Sequence, residues 1–178
     1  MFEKILRYGV IAGVIVAVPM IALSVLLDGH PPLAWGMAIG YTTMLVAFSM
    51  VFIGIKRHRD TDLGGVIRFW PAFALGLGIS FVASVFYVLA WEGVLAFSHM
   101  DFANAYASTL IAEKKAQGAS AETLAALTAQ MEAFKVQYAN PLFRLPMTFV
   151  EIFPIGALVS LIAAALLRNR RFLAVARA

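Results

Sequence analysis

The chain has 178 residues, 62% of them hydrophobic and 13% charged, against about 45–50% and about 25% in ordinary soluble domains. That composition excludes a soluble fold, and the length allows one membrane domain over residues 1–178 with room for several apolar runs of spanning length. The absence of Cys excludes disulfides, thiolate catalysis, Fe–S clusters and cysteine zinc sites, while the net charge of +4 sits on residues that flank apolar runs and so marks topology, with no nucleic-acid partner expected.

Lys4 and Arg7 precede an apolar run from about Tyr8 to Leu27. It is longer than the roughly 7–15 residues of a signal-peptide core and lacks a small-x-small cleavage pattern, so it is read as a first span. Gly9, Gly13 and Ala17 recur every four residues and give one helix face on which a neighbouring backbone can approach closely. Pro19 predicts a mild kink. Asp28-Gly29-His30-Pro31-Pro32 cannot continue a helix and predicts a tight turn.

A second span is expected over 33–55, with Trp35 at the interface and Gly36 and Gly40 repeating the small-residue spacing. It stops at Lys56-Arg57-His58-Arg59-Asp60, read as the start of a basic loop that Gly64 and Gly65 make flexible. A third span follows over 69–92, with Trp70 as anchor, Pro71 in the first turn, a stripe of Gly76, Ser80 and Ser84, and an exit at Trp91 and Glu92.

The long polar segment that follows predicts an amphipathic helical hairpin over 101–138. Phe102, Tyr106 and Leu110 repeat every four residues, Gly118 is a break, and Ser120 caps a helix whose apolar face is Leu124, Leu127, Met131, Phe134 and Tyr138. Such a hairpin lies outside the membrane, as a cap packed on the bundle or as an element that docks a partner or the membrane surface. A fourth span over 143–167 closes on Arg168, Arg170 and Arg171.

Orientation follows from the basic residues. Lys4, Arg7, Lys56, Arg57, Arg59, Arg68, Arg168, Arg170, Arg171 and Arg177 fall on one side of a four-span map, and only Lys114, Lys115, Lys135 and Arg144 on the other. The reading is therefore all-α: an integral membrane four-helix bundle with both termini cytoplasmic, placed in a bacterial inner membrane. Lys56, Arg57, Arg59, Arg168, Arg170 and Arg171 orient the chain and are candidates to meet anionic lipid headgroups.

The stretch GYTTMLVAFSMVFIGIKRHRD from Gly40, then Gly64-Gly65-Val66-Ile67, Glu151-Ile152-Phe153-Pro154-Ile155-Gly156 and the Ser160 segment resembles the bacterial domain of unknown function 4199. The resemblance covers nearly the whole chain. It implies a small bacterial inner-membrane protein and carries no activity, substrate or cofactor with it.

Glu151 is the one carboxylate deep inside a span. At about 1.5 Å per residue it lies roughly 25 Å from Arg168 and about 15 Å from Pro141, in a place where an unpartnered charge costs several kcal/mol. Tyr41, Thr42, Ser84 and Tyr87 reach similar depth and bring hydroxyls, so they are expected to form a polar layer with it, and Glu92 is expected to pair with Arg144 above them at the interface. This layer has two readings: a hydrogen-bond network that orients the helices, or the lining of a hydrated cavity in which Glu151 titrates. The first belongs to an accessory, scaffold or envelope-associated protein that meets a membrane-protein partner or forms a homo-oligomer; the second belongs to a small oligomeric proton- or ion-coupled transporter or channel. An enzyme is disfavoured. His30, His58 and His99 fall on both sides of the bilayer, no serine carries a placed base, and no cofactor is expected.

Overall fold

The computed structural model describes residues 1–26, 33–98 and 101–173. The turn at 28–32, His30, His99, Arg177 and the surroundings of Trp35 and Gly36 lie outside the described residues. Within them all regular structure is helical: α1 Phe2–Leu26, α2 Leu33–Asp62, α3 Phe69–Ser98, α4 Phe102–Ala116, α5 Ala121–Ala139 and α6 Pro141–Leu167. Four of these contain stretches long and apolar enough to cross a bilayer, Phe2–Ser24, Ala38–Asp62, Phe69–Phe97 and Pro141–Leu167, which marks an integral membrane protein.

The helices outrun the apolar limits. The expected basic loop after Ile55 is instead the last two turns of α2, which runs on to Asp62. Lys56 pairs with Asp60 at 2.7 Å and His58 with Asp62 at 2.8 Å, each four residues on, and such pairs hold a helix together past the end of its apolar run. The turn comes only at Gly64 and Gly65, whose φ values of 63° and 90° lie in the left-handed region that glycine adopts without strain.

The spans form a ring. α1 packs on α3 and α2, and α6 packs on α3 and α2, so the order around the bundle is α1, α3, α6, α2, with α2 and α3 also touching across the middle. Small residues set the close seams. A Cβ on Gly9 or Gly13 would stand 2.5 Å from the Cβ of Val82 or Phe86 on α3, and one on Gly78 would stand 2.7 Å from Ile5. On the α3–α6 seam, Gly76 faces Ser160 and Gly156 faces Phe48 and Ser80, again with less than 3 Å for an added carbon. Gly40 differs: a Cβ there would meet nothing within 4 Å, so at this position the stripe expected on α2 is open among the described residues. Phe48, Val51, Ile55, Leu75, Ile79 and Ile152 form the core of the bundle at 0% exposure.

Between α3 and α6, the helices α4 and α5 lie antiparallel to each other. Asp101 caps the first, its side chain accepting from the Asn104 backbone N–H at 3.1 Å, and Ser120 caps the second by accepting from Thr123 N–H at 3.2 Å. The link between them is a Schellman turn at Gly118, φ 76°, in which Gly118 N–H donates to Lys115 and Ala119 N–H to Lys114. Ring contacts Phe102–Tyr138 and Tyr106–Phe134, with centroids 5.4 and 5.9 Å apart, zip the pair along its inner faces.

Candidate functional site

Three polar assemblies interrupt the apolar bundle. The first is at the end where the first turn of α1, the last turns of α2 and the residues after α6 converge. Lys4 reaches Asp62 at 2.7 Å and Thr61 at 3.0 Å, and Asp62 also holds His58. Arg59 is 1% exposed. Its Nε donates to Asp60, and its two terminal nitrogens donate to the carbonyls of Leu167, Phe172 and Leu173 at 3.4, 2.9 and 3.0 Å. A C-terminal helix end leaves carbonyls without intrahelical donors and carries partial negative charge. The guanidinium fork reaches one of these, Leu167, and two carbonyls of the turns that follow, Phe172 and Leu173, so Arg59 clamps the segment after α6 onto α2 and is not the headgroup contact its place in the basic run implied. Lys56 is likewise engaged by Asp60. Arg57, Arg168, Arg170 and Arg171 remain exposed.

The second assembly joins the α4–α5 pair to the spans. Arg144, in the first turns of α6, donates from Nε and Nη2 to the two carboxylate oxygens of Glu92 on α3 at 2.7 and 2.6 Å, a bidentate pair. Its remaining nitrogen donates to the Tyr138 carbonyl at 3.1 Å, and its guanidinium lies 5.6 Å from the centre of the Tyr138 ring. Trp91 Nε1–H donates to the Tyr138 hydroxyl at 2.7 Å and stacks edge-on against Phe102. Burial pushes the Tyr138 phenol up to about 12, against the opposing effect of the Trp91 bond. One tyrosine thus binds three helices.

The third assembly surrounds Glu151. The structure brings Tyr87 of α3, 9% exposed, close enough to interact with the Glu151 carboxyl directly, and places Tyr41 of α2 within electrostatic reach of Tyr87. Thr42 and Ser84 do not join them as bridging donors. Thr42 bonds the Ala38 carbonyl at 2.7 Å and Ser84 the Ser80 carbonyl at 2.8 Å, each one turn back on its own helix. Hydroxyls in membrane spans find their own backbone first, because it is always within reach. Buried Ser160 does the same with the Gly156 carbonyl at 2.7 Å, and its hydroxyl also meets that of Ser80 across the α3–α6 seam at 3.1 Å. Glu151 as a residue is exposed on α6, whereas Tyr87 is buried.

Sequence reasoning missed two elements of this arrangement: the inward turn of Arg59 and the role of Tyr138 as a junction. The fourfold spacing of Lys56 with Asp60 and of His58 with Asp62 could have revealed the first. His58 is held by Asp62, and among the described residues no three His, Asp or Glu side chains come together as a metal site. Nor does any buried side-chain nitrogen or oxygen lack a partner among them.

No curated protein and no solved structure matches the chain. A family model described as protein of unknown function (DUF4199) matches residues 7–169, from the first turns of α1 to just past α6, and the chain belongs to that family.

Proposed function

We propose that this is a multi-pass protein of the bacterial inner membrane, with both termini cytoplasmic, that acts as an accessory or scaffold protein and presents α4–α5 to a membrane-protein partner. The observation that carries this reading is the rigid mounting of α4–α5. An element tied to α3 and α6 by a bidentate ion pair, an indole hydrogen bond and a run of stacked rings is held as a fixed surface, and fixed surfaces lower the ordering cost of docking. Val136, 76% exposed on α5, belongs to the side this mounting leaves open. The buried core weighs against the alternative of a proton- or ion-coupled transporter, since side chains at 0% exposure leave no path through one bundle.

The test uses the full chain in native membranes. A photo-crosslinking amino acid at position 136 is expected to give one discrete adduct with another membrane protein, and the same group at Val18, 58% exposed on α1, is not. Equal adducts at both positions, or none at 136, would overturn the docking role. Proton flux into liposomes carrying the purified chain, abolished by Glu151→Gln, would establish the transporter instead.

A further inference from the structure

The seam between α3 and α6 is charged differently at its two ends. Contacts along it keep one antiparallel register: Glu92 meets Arg144, Ser80 lies against Gly156 and Gly76 against Ser160, each step along α3 matched by an equal step back along α6. The same register sets Ser84 level with Ile152 and Ala72 level with Ala164, all four at 0% exposure. One helical turn further it brings Arg68 level with Arg168. One end of the seam therefore sets an arginine against a carboxylate, and the other sets two arginines side by side.

Both are exposed, and among the described residues neither guanidinium makes a hydrogen bond or an ion pair. The acids of this end are engaged or distant. Asp60 is held by Lys56 and Arg59, Asp62 by Lys4 and His58, and Glu3 is on α1, where the contact of Ile5 with Gly78 puts it about 12 Å up the bundle from Arg68. Depth selects the ligand. Arg68 immediately precedes the apolar stretch Phe69–Phe97 and Arg168 immediately follows Pro141–Leu167, so both stand at the level of the headgroups. Trp70, 73% exposed beside Phe69 and Phe73, is a ring of the kind that settles at that level. A soluble polyanion reaches this depth only by displacing headgroups, whereas a lipid phosphate is already there. Guanidinium forks match its oxygens in geometry and charge. We infer that Arg68 and Arg168 form a binding site for the phosphate of an anionic phospholipid at this end of the α3–α6 seam.

The test follows the full chain in a neutral detergent by native mass spectrometry, with phosphatidylglycerol, phosphatidylcholine and inorganic phosphate as probes. One phosphatidylglycerol is expected to stay bound under conditions that strip phosphatidylcholine, and millimolar phosphate is not expected to displace it. Arg68→Gln combined with Arg168→Gln is expected to weaken binding about thirtyfold. Arg7→Gln combined with Arg57→Gln removes the same charge from the α1–α2 side of this end, where Arg57 reaches Tyr8, and should leave the affinity within about twofold. A second measurement needs no variant: phenylglyoxal modification of the arginines, mapped by mass spectrometry in phosphatidylcholine nanodiscs with and without phosphatidylglycerol, is expected to slow more at Arg68 and Arg168 than at Arg7 and Arg57. Equal retention of the two lipids, displacement by phosphate, equal weakening in the two double variants, or protection that is absent or spread evenly over the four arginines would each overturn the site.

Discussion

Replacing Arg59 by Ala should unfold the bundle more readily than the loss of any exposed arginine. The change removes donors to three carbonyls and leaves buried polar groups without their charge, a defect of about 3 kcal/mol or more. Arg59→Lys should not restore stability, because an ammonium on a flexible stem cannot span the same acceptors. Detergent unfolding, with proteolysis of residues 168–173 as a local readout, checks both. At the other end, Arg144→Gln and Glu92→Gln should each cost about 1–3 kcal/mol, and exchanging the two charges should recover only part of that, since Glu at 144 can serve neither the Tyr138 ring nor its carbonyl. Asp101 offers a pH test. The hydrogen bonds it accepts from Asn104 hold its carboxyl below the usual carboxylate range, so its capping contribution is complete above the unfolded value and is lost as pH falls through the lower folded one. Protection against amide exchange in the first turn of α4, taken relative to the intrinsic rate at each pH, should therefore fall at acid pH, and Asp101→Ala should reproduce that state at neutral pH. Depth counted from the span ends was enough to bring Glu92 level with Arg144 and Tyr87 level with Glu151. It could not show that Thr42 and Ser84 satisfy themselves locally, because depth carries no information about rotation around a helix axis.

At the scale of the elements, the glycines separate into seams and open faces. Gly13→Ala and Gly156→Ala place a carbon within 2.5 and 2.7 Å of neighbouring side chains and should lower stability by about 1–3 kcal/mol. Gly40→Ala meets nothing within 4 Å and should raise it by up to about 1 kcal/mol through helix propensity alone. Thermal unfolding of the three variants in one detergent decides the contrast, and a destabilised Gly40→Ala would show that this face is closed by something beyond the protomer. The spans, the cap at Ser120 and the break at Gly118 answer to local rules of hydropathy and capping, and so were legible. The end of α2 was not, since hydropathy stops at Ile55 while the charged pairs carry the helix to Asp62. Equal small-residue spacing on α1 and α2 hid a real difference as well: Gly9 and Gly13 have a partner helix, whereas Gly40 has open space.

For the whole molecule, the ion pair of Lys4 with Asp62 and the bonds from Arg59 to Phe172 and Leu173 place the beginning of α1 and the segment after α6 at the same end of the bundle. The α4–α5 pair occupies the other end, through Trp91 and Arg144. Because the chain has no Cys, single cysteines can be introduced without background. Cysteines replacing Thr61 and Ser120 should be modified by a membrane-impermeant maleimide from opposite faces of the bilayer, and modification of both from one face would dismantle the four-pass arrangement.

The clamp by Arg59 also bears on biogenesis. A ribosome delivers α1, α2 and α3 long before residue 173, so for most of synthesis the guanidinium of Arg59 has none of its carbonyl acceptors and the Gly76–Ser80 groove of α3 lies bare to lipid. The ring can shut only when α6 arrives. A nascent chain of this design therefore waits half-assembled, its guanidinium held by Asp60 alone until the last helix docks.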